Sequence, residues 1–425
     1  MNRRFFAAPF LDLPFRPNQF LSLVLLLFVL ALPTLAIDDI QQAGDEPKQL
    51  IKQADKLVKR GDYAGAEPLY KRAISSRPND SETKLKLAYL YVKMRRLAEA
   101  YELSFPVAKA EPKNSHAYAV VGATFLSAGR FKDARVLFIS ALRIDNGEAL
   151  AWAGLGMLDF YENNIEESLK NLQESVFRAP LEADYVYALA QVSARAEKYK
   201  EAATAYEDFL RVSKNQDDER RERIKGLINF LRYLGNKNSL YQTGGADNTQ
   251  VGFEIVGNRP IIKLRVNGRP ELLNFVLDTG SGISVISDET SKALNIKPIT
   301  KGGFAKGIGG DGRFEIVYGF LKEVDIGDVS IRNVPVYIRK FHSDGKIDGY
   351  IGLSLISKFL TTVDYGEQTF MLEKKDAQRQ LASNAVSLPL RLTSSGFLSG
   401  EVQLQGIEEP LNFIVDTGAS VSVIS

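Results

Sequence analysis

Two hydrophobic rhythms divide this chain. From Pro47 onward, apolar residues recur at helical spacing inside a unit that repeats every 34 residues. One small position of the unit is Ala54, Ala88, Gly122, Gly156 and Ala190; another is Ala66, Ala100, Ala134, Ser168 and Ala202. The five copies follow one another without an insertion. Small residues let two helices approach, and large neighbours such as Tyr70, Phe138 and Tyr206 fill the space beside them. Pro78, Pro112 and Pro180 fall where each second helix should stop, because proline lacks an N–H and clashes with the preceding turn. Ile224, Leu227, Ile228, Leu231 and Leu234 predict one more helix, a cap within 217–242.

The rhythm then shifts to alternation with a period of two. Residues 243–258 open with a polar, glycine-rich stretch and read as a linker. Beyond them, Ile261–Val266 and Leu272–Leu277 predict strands joined by a tight turn at Asn267-Gly268. Arg313–Ile326, Val329–Ile338 and Thr361–Leu372 predict further strands, the last folded at Tyr365–Gln368, and Ser287–Leu294 a short helix. After a charged connector over 375–385, alternation resumes at Val386–Leu392, Gly400–Leu404 and Leu411–Val415.

One segment occurs twice. NFVLDTGSGISVIS spans Asn274–Ser287 and NFIVDTGASVSVIS spans Asn412–Ser425, with nine of fourteen positions identical. Each places an Asp-Thr-Gly turn behind an apolar strand: Asp278-Thr279-Gly280 and Asp416-Thr417-Gly418. Two carboxylates brought together cannot both ionise, so they can share a proton and work as acid and base on one substrate.

Composition narrows the chemistry further. There is no Cys, which excludes thiolate nucleophiles, disulfides and Cys-based zinc sites. The two His, His116 and His342, leave little for a His-based metal site or a Ser-His-Asp triad, and both read as surface residues. Trp152 reads as a packing residue of its repeat. Net charge is +2 with signs interspersed, and no basic stripe suggests nucleic acid. No motif calls for a cofactor; the glycines of 307–312 lack the lysine and helix of a phosphate loop. At the N-terminus, Arg3, Arg4 and Arg16 precede an apolar run, Phe20–Ala36, with Pro33 and small residues before Ile37. Residues 1–36 read as a signal peptide, the alternative being an uncleaved membrane anchor, and either places the protein outside the cytoplasm, in the periplasm or extracellular space.

The five-copy array over about 47–216, with its cap helix up to 242, resembles the tetratricopeptide repeat, which implies a concave surface able to bind a peptide or protein partner. Residues 259–374 resemble a lobe of a retropepsin-like aspartic protease, and 386–425 the start of a second lobe. The expected fold is therefore an all-α tetratricopeptide solenoid, then an all-β retropepsin-like lobe and the truncated start of another. The resemblance implies peptide-bond hydrolysis by Asp278 and Asp416 with an activated water. It makes Thr279 and Thr417 the residues that lock the two turns, with Gly280, Ser281, Gly418 and Ala419 supporting them. Ser281 is expected to hydrogen-bond the carboxylate. Tyr350-Ile351-Gly352 is the segment that passes behind the turn, and Gly307, Ile308, Gly309 and Gly310 belong to the expected flap. About a hundred residues of the second lobe are expected beyond Ser425, by comparison with the first. The part present should pack on the first lobe or stay poorly ordered. Two alternatives stand beside this reading: a non-catalytic scaffold whose lobe docks or dimerises, and a homodimer that pairs Asp278 with Asp278.

Overall fold

A computed structural model describes residues 46–213, 218–237, 239–306, 313–341, 347–377, 383–393, 396–407 and 411–422. The expected signal segment, the flap residues Gly307, Ile308, Gly309 and Gly310, and His342 lie outside the described residues. Eleven helices are counted among the described residues up to 235. They are α1 (46–59), α2 (Tyr63–Ser76), α3 (Ser81–Lys93), α4 (Leu97–Ala110), α5 (Ser115–Ser127) and α6 (Phe131–Ile144). Then follow α7 (Ala149–Tyr161), α8 (Ile165–Arg178), α9 (Ala183–Arg195), α10 (Tyr199–Val212) and α11 (Asp218–Gly235). None of the described helices is long and apolar enough to cross a membrane.

The chain forms two compact units, one up to Leu87 and one from Ala88 onward together with Lys59–Gly61. In the first, Ala54 and Ala66 are fully buried, and Tyr70 is nearly so, its hydroxyl 2.5 Å from Asp55 Oδ1. In the second, the small residues of the repeat meet large partners. A Cβ on Gly122 would lie 2.8 Å from the Phe138 ring, and one on Gly156 would lie 2.6 Å from Leu172 Cγ. Ser168 Oγ donates to Gly156 O at 2.7 Å, so even the polar substitute at this small position is satisfied across the helix pair.

The β-rich part begins earlier than the sequence suggests. Residues 243–258, expected to be a linker, are largely taken up by β1 (Gln242–Gly245) and β2 (Asn248–Val256). The reason is visible in β2: Thr249 and Phe253 are buried on one face, and Gly257-Asn258, with φ of 58° and 64°, makes the two-residue turn that leads into β3 (Arg259–Val266). Then come β4 (Leu273–Asp278), β5 (Ser284–Ser287), α12 (Asp288–Ala293), β6 (Thr300–Lys306), β7 (Arg313–Ile326) and β8 (Val329–Arg339). β9 (Gly349–Gly352), α13 (Leu353–Ile356), β10 (Leu360–Asp364) and β11 (Thr369–Glu373) complete the lobe. The strands run β10-β11-β2-β3-β4-β9-β5-β8-β7-β6, with β1 on β8, and β3 also pairs with β7.

The turn at Asn267-Gly268 forms, with φ of 54° and 69°, but it does not join a simple hairpin. β3 and β4 stop pairing at Leu264 and Leu273, and Arg265–Val266 turn aside to pair with β7. The Asn267 side chain holds this corner, accepting from Lys322 N at 2.7 Å.

Helix α11 joins the core of this lobe: Phe230 and Leu234 belong to the same buried cluster as Phe275, Leu277 and Ile351. Phe230 stacks on Tyr318 at 4.3 Å. Gly226 lets α11 touch β6, since a Cβ there would lie 2.3 Å from both Gly302 Cα and Lys301 O.

A separate sheet, β12 (Arg391–Leu392), β13 (Leu398–Val402) and β14 (Leu411–Ile414), carries the second motif. The strand expected over Val386–Leu392 shrinks to two residues; Pro389 has no N–H for a ladder, and Val386 and Leu388 are exposed. This sheet packs on the repeats as well as on the first lobe. Leu392 is buried among Phe160, Leu169, Leu172, Ala188 and Val192 of α7, α8 and α9, with Leu398 packed against them. The Arg391 guanidinium lies 4.6 Å from the Phe131 ring centre.

Candidate active site

Strand β4 buries Phe275, Val276 and Leu277 and delivers Asp278 at its end, where the chain emerges from the core. β9 runs parallel to it, with Val276, Leu277 and Asp278 opposite Tyr350, Ile351 and Gly352. Tyr350-Ile351-Gly352 thus passes directly alongside the turn. Gly352 is needed there, because a Cβ would lie 2.7 Å from Ser281 O. Leu353 N donates to Ser281 O (2.8 Å) and Ser354 N to Gly282 O (3.0 Å), which pins the residues after the turn.

The two turns interlock. Thr279 Oγ1 donates to Val415 O (2.7 Å), and Thr417 Oγ1 donates to Leu277 O (2.7 Å). Each hydroxyl also accepts the other threonine's backbone N–H: Thr417 N to Thr279 Oγ1 at 3.0 Å, and Thr279 N to Thr417 Oγ1 at 3.2 Å. Each threonine therefore reaches through to the strand behind the opposite turn, and the pattern is reciprocal. The glycines pack across the same axis. A Cβ on Gly280 would lie 2.3 Å from Asp416 Cγ, and one on Gly418 would lie 2.6 Å from Asp278 Oδ1. Glycine is the residue that lets each carboxylate sit against the other turn.

The carboxyls of Asp278 and Asp416 face one another closely enough to share a proton. Gly280 N donates to Asp278 Oδ1 (3.0 Å) and Gly418 N to Asp416 Oδ1 (2.9 Å). Asp278 is half-buried and Asp416 exposed. Burial, reinforced by the neighbouring Asp416 charge, pushes the Asp278 carboxyl up from 3.8 to about 7. The arrangement holds a proton between two carboxyls at a pH where a lone aspartic acid is fully ionised.

Ser281 behaves differently from expectation. Its hydroxyl donates to Ile283 O at 2.8 Å and so tightens the loop, leaving the carboxylate to the backbone of Gly280. Ala419 contributes a long backbone bond, from its N to Asp416 O at 3.4 Å. His116 has a side chain 43% exposed and lies 3.3 Å from Glu148, with no part in the hydrogen bonds of the two turns. Trp152 is half-buried, its indole N–H donating to Asn146 O at 3.0 Å.

The sequence of the first lobe matches the family described as aspartyl protease over residues 262–355. Tetratricopeptide-repeat families match residues 57–123 and 153–217. The chain carries tetratricopeptide repeats and a retropepsin-like aspartyl protease domain. Among curated proteins, the Arabidopsis thaliana "Inactive TPR repeat-containing thioredoxin TTL3" is 26% identical over 96 residues, which is 23% of this chain and 14% of that protein. The chain thus spans a small part of that relative's length. Among solved structures, a thermophilic TPR protein of Thermus thermophilus is 18% identical with a TM-score of 0.37, covering 43% of this chain and 98% of that one. MamA of Desulfovibrio magneticus is 21% identical with a TM-score of 0.28, covering 41% of this chain and 98% of that one.

Sequence reasoning gave no role in the site to three residues of the protease domain. Asp348 accepts from Asn274 N and from Thr290 Oγ1, both at 2.8 Å, and so ties β4 to α12 just before β9 begins. Asn258 donates through Nδ2 to Ser420 O (3.1 Å), a bond from the first lobe to the residues after the second turn. Arg259 lies close enough for its charge to act on Asp278. The alternating pattern of 248–256, which turns at Gly257-Asn258, was the available signal for the last two.

Proposed function

We propose that the protein is an aspartic endopeptidase in which Asp278 and Asp416 of one chain form the catalytic pair. The observation that carries this reading is the reciprocal Thr279–Thr417 interlock, which sets two carboxyls side by side around one proton. In hydrolysis, the ionised member of the pair takes a proton from water as its oxygen attacks the peptide carbonyl carbon. The protonated member gives its proton to the carbonyl oxygen. Collapse of the tetrahedral species breaks the C–N bond: the leaving nitrogen takes the proton now on the first carboxyl, a hydroxyl of the tetrahedral species gives its proton to the second, and the pair regains its starting arrangement. No step calls for a metal or cofactor.

The test is a peptide library offered to the full chain across acidic to neutral pH. Cleavage that is blocked by a peptide analogue bearing a tetrahedral hydroxyl, and lost in Asp278→Asn and in Asp416→Asn, supports the reading. Failure to cleave any peptide overturns it. The presence of Asp416 beside Asp278 supports an intrachain pair over a homodimer, so specific activity should not change with protein concentration. The Phe20–Ala36 run supports export to the periplasm or extracellular space, and N-terminal sequencing of the mature protein checks it. The repeats support a partner-binding or substrate-recruiting role, on surfaces other than the α7–α9 patch that β12 and β13 occupy.

A further inference from the structure

The register of β3 and β4 puts a cation next to the catalytic pair. Ile261 stands opposite Val276 in an antiparallel ladder. Continued by two residues, that ladder sets Arg259 across from Asp278, and alternation puts both side chains on the face that carries Ile261 and Val276. On the other side of β4, Tyr350 stands beside Val276. Ile261, Val276 and Ile347 form one small apolar cluster with Tyr350 and Phe341 packed on it, so this face is continuous from β3 to β9.

Arg259 is half-buried and lies close enough to Tyr350 for its charge to act on the phenol. Its Nε is shielded from solvent and meets no hydrogen-bond partner, and no carboxylate stands at ion-pair distance from it among the described residues. The guanidinium of Arg339, 4.0 Å from the Phe314 ring centre, also acts on Tyr350. The neighbouring Asn258 bonds Ser420 O across the two motifs, which places the turn carrying Arg259 where the two halves of the site meet. The second motif lacks the cation. There Ser399 stands opposite Ile414, and the same two-residue continuation sets Phe397 across from Asp416. The half-sites therefore differ, one cationic and one aromatic in register with its aspartate.

A partly desolvated guanidinium without a carboxylate partner is a carboxylate receptor, because its fork of N–H donors matches two carboxylate oxygens. We propose that Arg259 forms a subsite for an acidic side chain of the peptide, on one side of the scissile bond. This proposal rests on the aspartic peptidase reading and names a substrate class for it.

The experiment uses matched peptides that differ only in Glu against Gln at each position around the cleaved bond, with the full chain and its Arg259→Met and Arg259→Lys variants. The quantity read is the Glu/Gln ratio of kcat/KM within each enzyme, so a general loss of activity cancels. Wild type should favour Glu at one position by about tenfold or more, mainly through KM. Arg259→Lys should keep part of the preference and Arg259→Met should abolish it. A ratio near one at every position in wild type overturns the proposal, as does a preference that survives in Arg259→Met. A shifted pH profile with an unchanged ratio also overturns it, since Arg259 would then serve Asp278 alone. Calorimetric binding of the same peptide pairs reads the ratio without turnover. Preferential binding of Glu peptides that are never cleaved would sink the peptidase reading and leave the subsite standing.

Discussion

At the scale of single residues, the proton on the Asp278–Asp416 pair governs stability and, on the proposed peptidase reading, rate. Asp278 is held at about 7 in the folded protein against its ordinary 3.8, because burial and the Asp416 charge both oppose its ionisation. The folded value is the higher one, so the contribution to stability is full below the ordinary value and is lost as pH rises from about 4 to about 7. Asp278→Asn removes that loss. The variant should therefore resist urea better than wild type at neutral pH, while the two converge in acid, and urea midpoints at two pH values check this. The same substitution should lower kcat by about 10²–10⁴-fold, read on a cleaved library peptide. In wild type, kcat/KM should fall as pH rises through about 7, where the shared proton leaves. Thr279→Val deletes one donor and one acceptor of the interlock. It should cost about 1–3 kcal/mol of stability and let Asp278 titrate closer to its ordinary value, followed by carboxyl carbon NMR.

Among the elements, α11 and β6 show how the repeats and the protease domain are joined. The helix is a cap to the array by its apolar spacing, yet its Phe230 and Leu234 belong to the core of the lobe. Gly226 is the contact point, and a methyl there would meet the backbone of Lys301 and Gly302 rather than a side chain that could move. Gly226→Ala should therefore destabilise the protein by about 1–3 kcal/mol despite the better helix propensity of alanine, measured as a fall in Tm. An increase in Tm would show that the helix can slide away without loss. The charged pair Glu219–Arg313 and the bond from Arg223 Nη1 to Phe304 O lie along the same seam, and both tie α11 to the β6–β7 pair.

At the scale of the whole molecule, the strand that carries Asp416 is held from two sides. The threonine interlock fixes its turn, and α7, α8 and α9 cover Leu392 and Leu398 of its sheet. Replacing both leucines by Asp buries two charges against an apolar patch, which should release the sheet. Peptide cleavage should then fall with Asp278 titrating lower, while far-ultraviolet circular dichroism shows the helices intact; retained cleavage would mean that the interlock alone suffices. The helical array and the β-rich lobe were legible from periodicity, because a repeat of 34 residues or an alternation of two reports local geometry and which face is buried. The doubled Asp-Thr-Gly was legible for the same reason, as an apolar strand ending in a carboxylate. The strands over 242–258 were obscured by the glycines around them, and the Ser281 hydroxyl could not be aimed without the loop it closes. By itself the sequence determined the helical array, most strands of the lobe and the two Asp-Thr-Gly turns. Only the tertiary structure decided what each buried face is buried against: β12 and β13 against the repeats, α11 against β6, and Arg259 beside Asp278. The physical reason is that apolar burial is non-directional, so a hydrophobic stripe demands a partner without naming it.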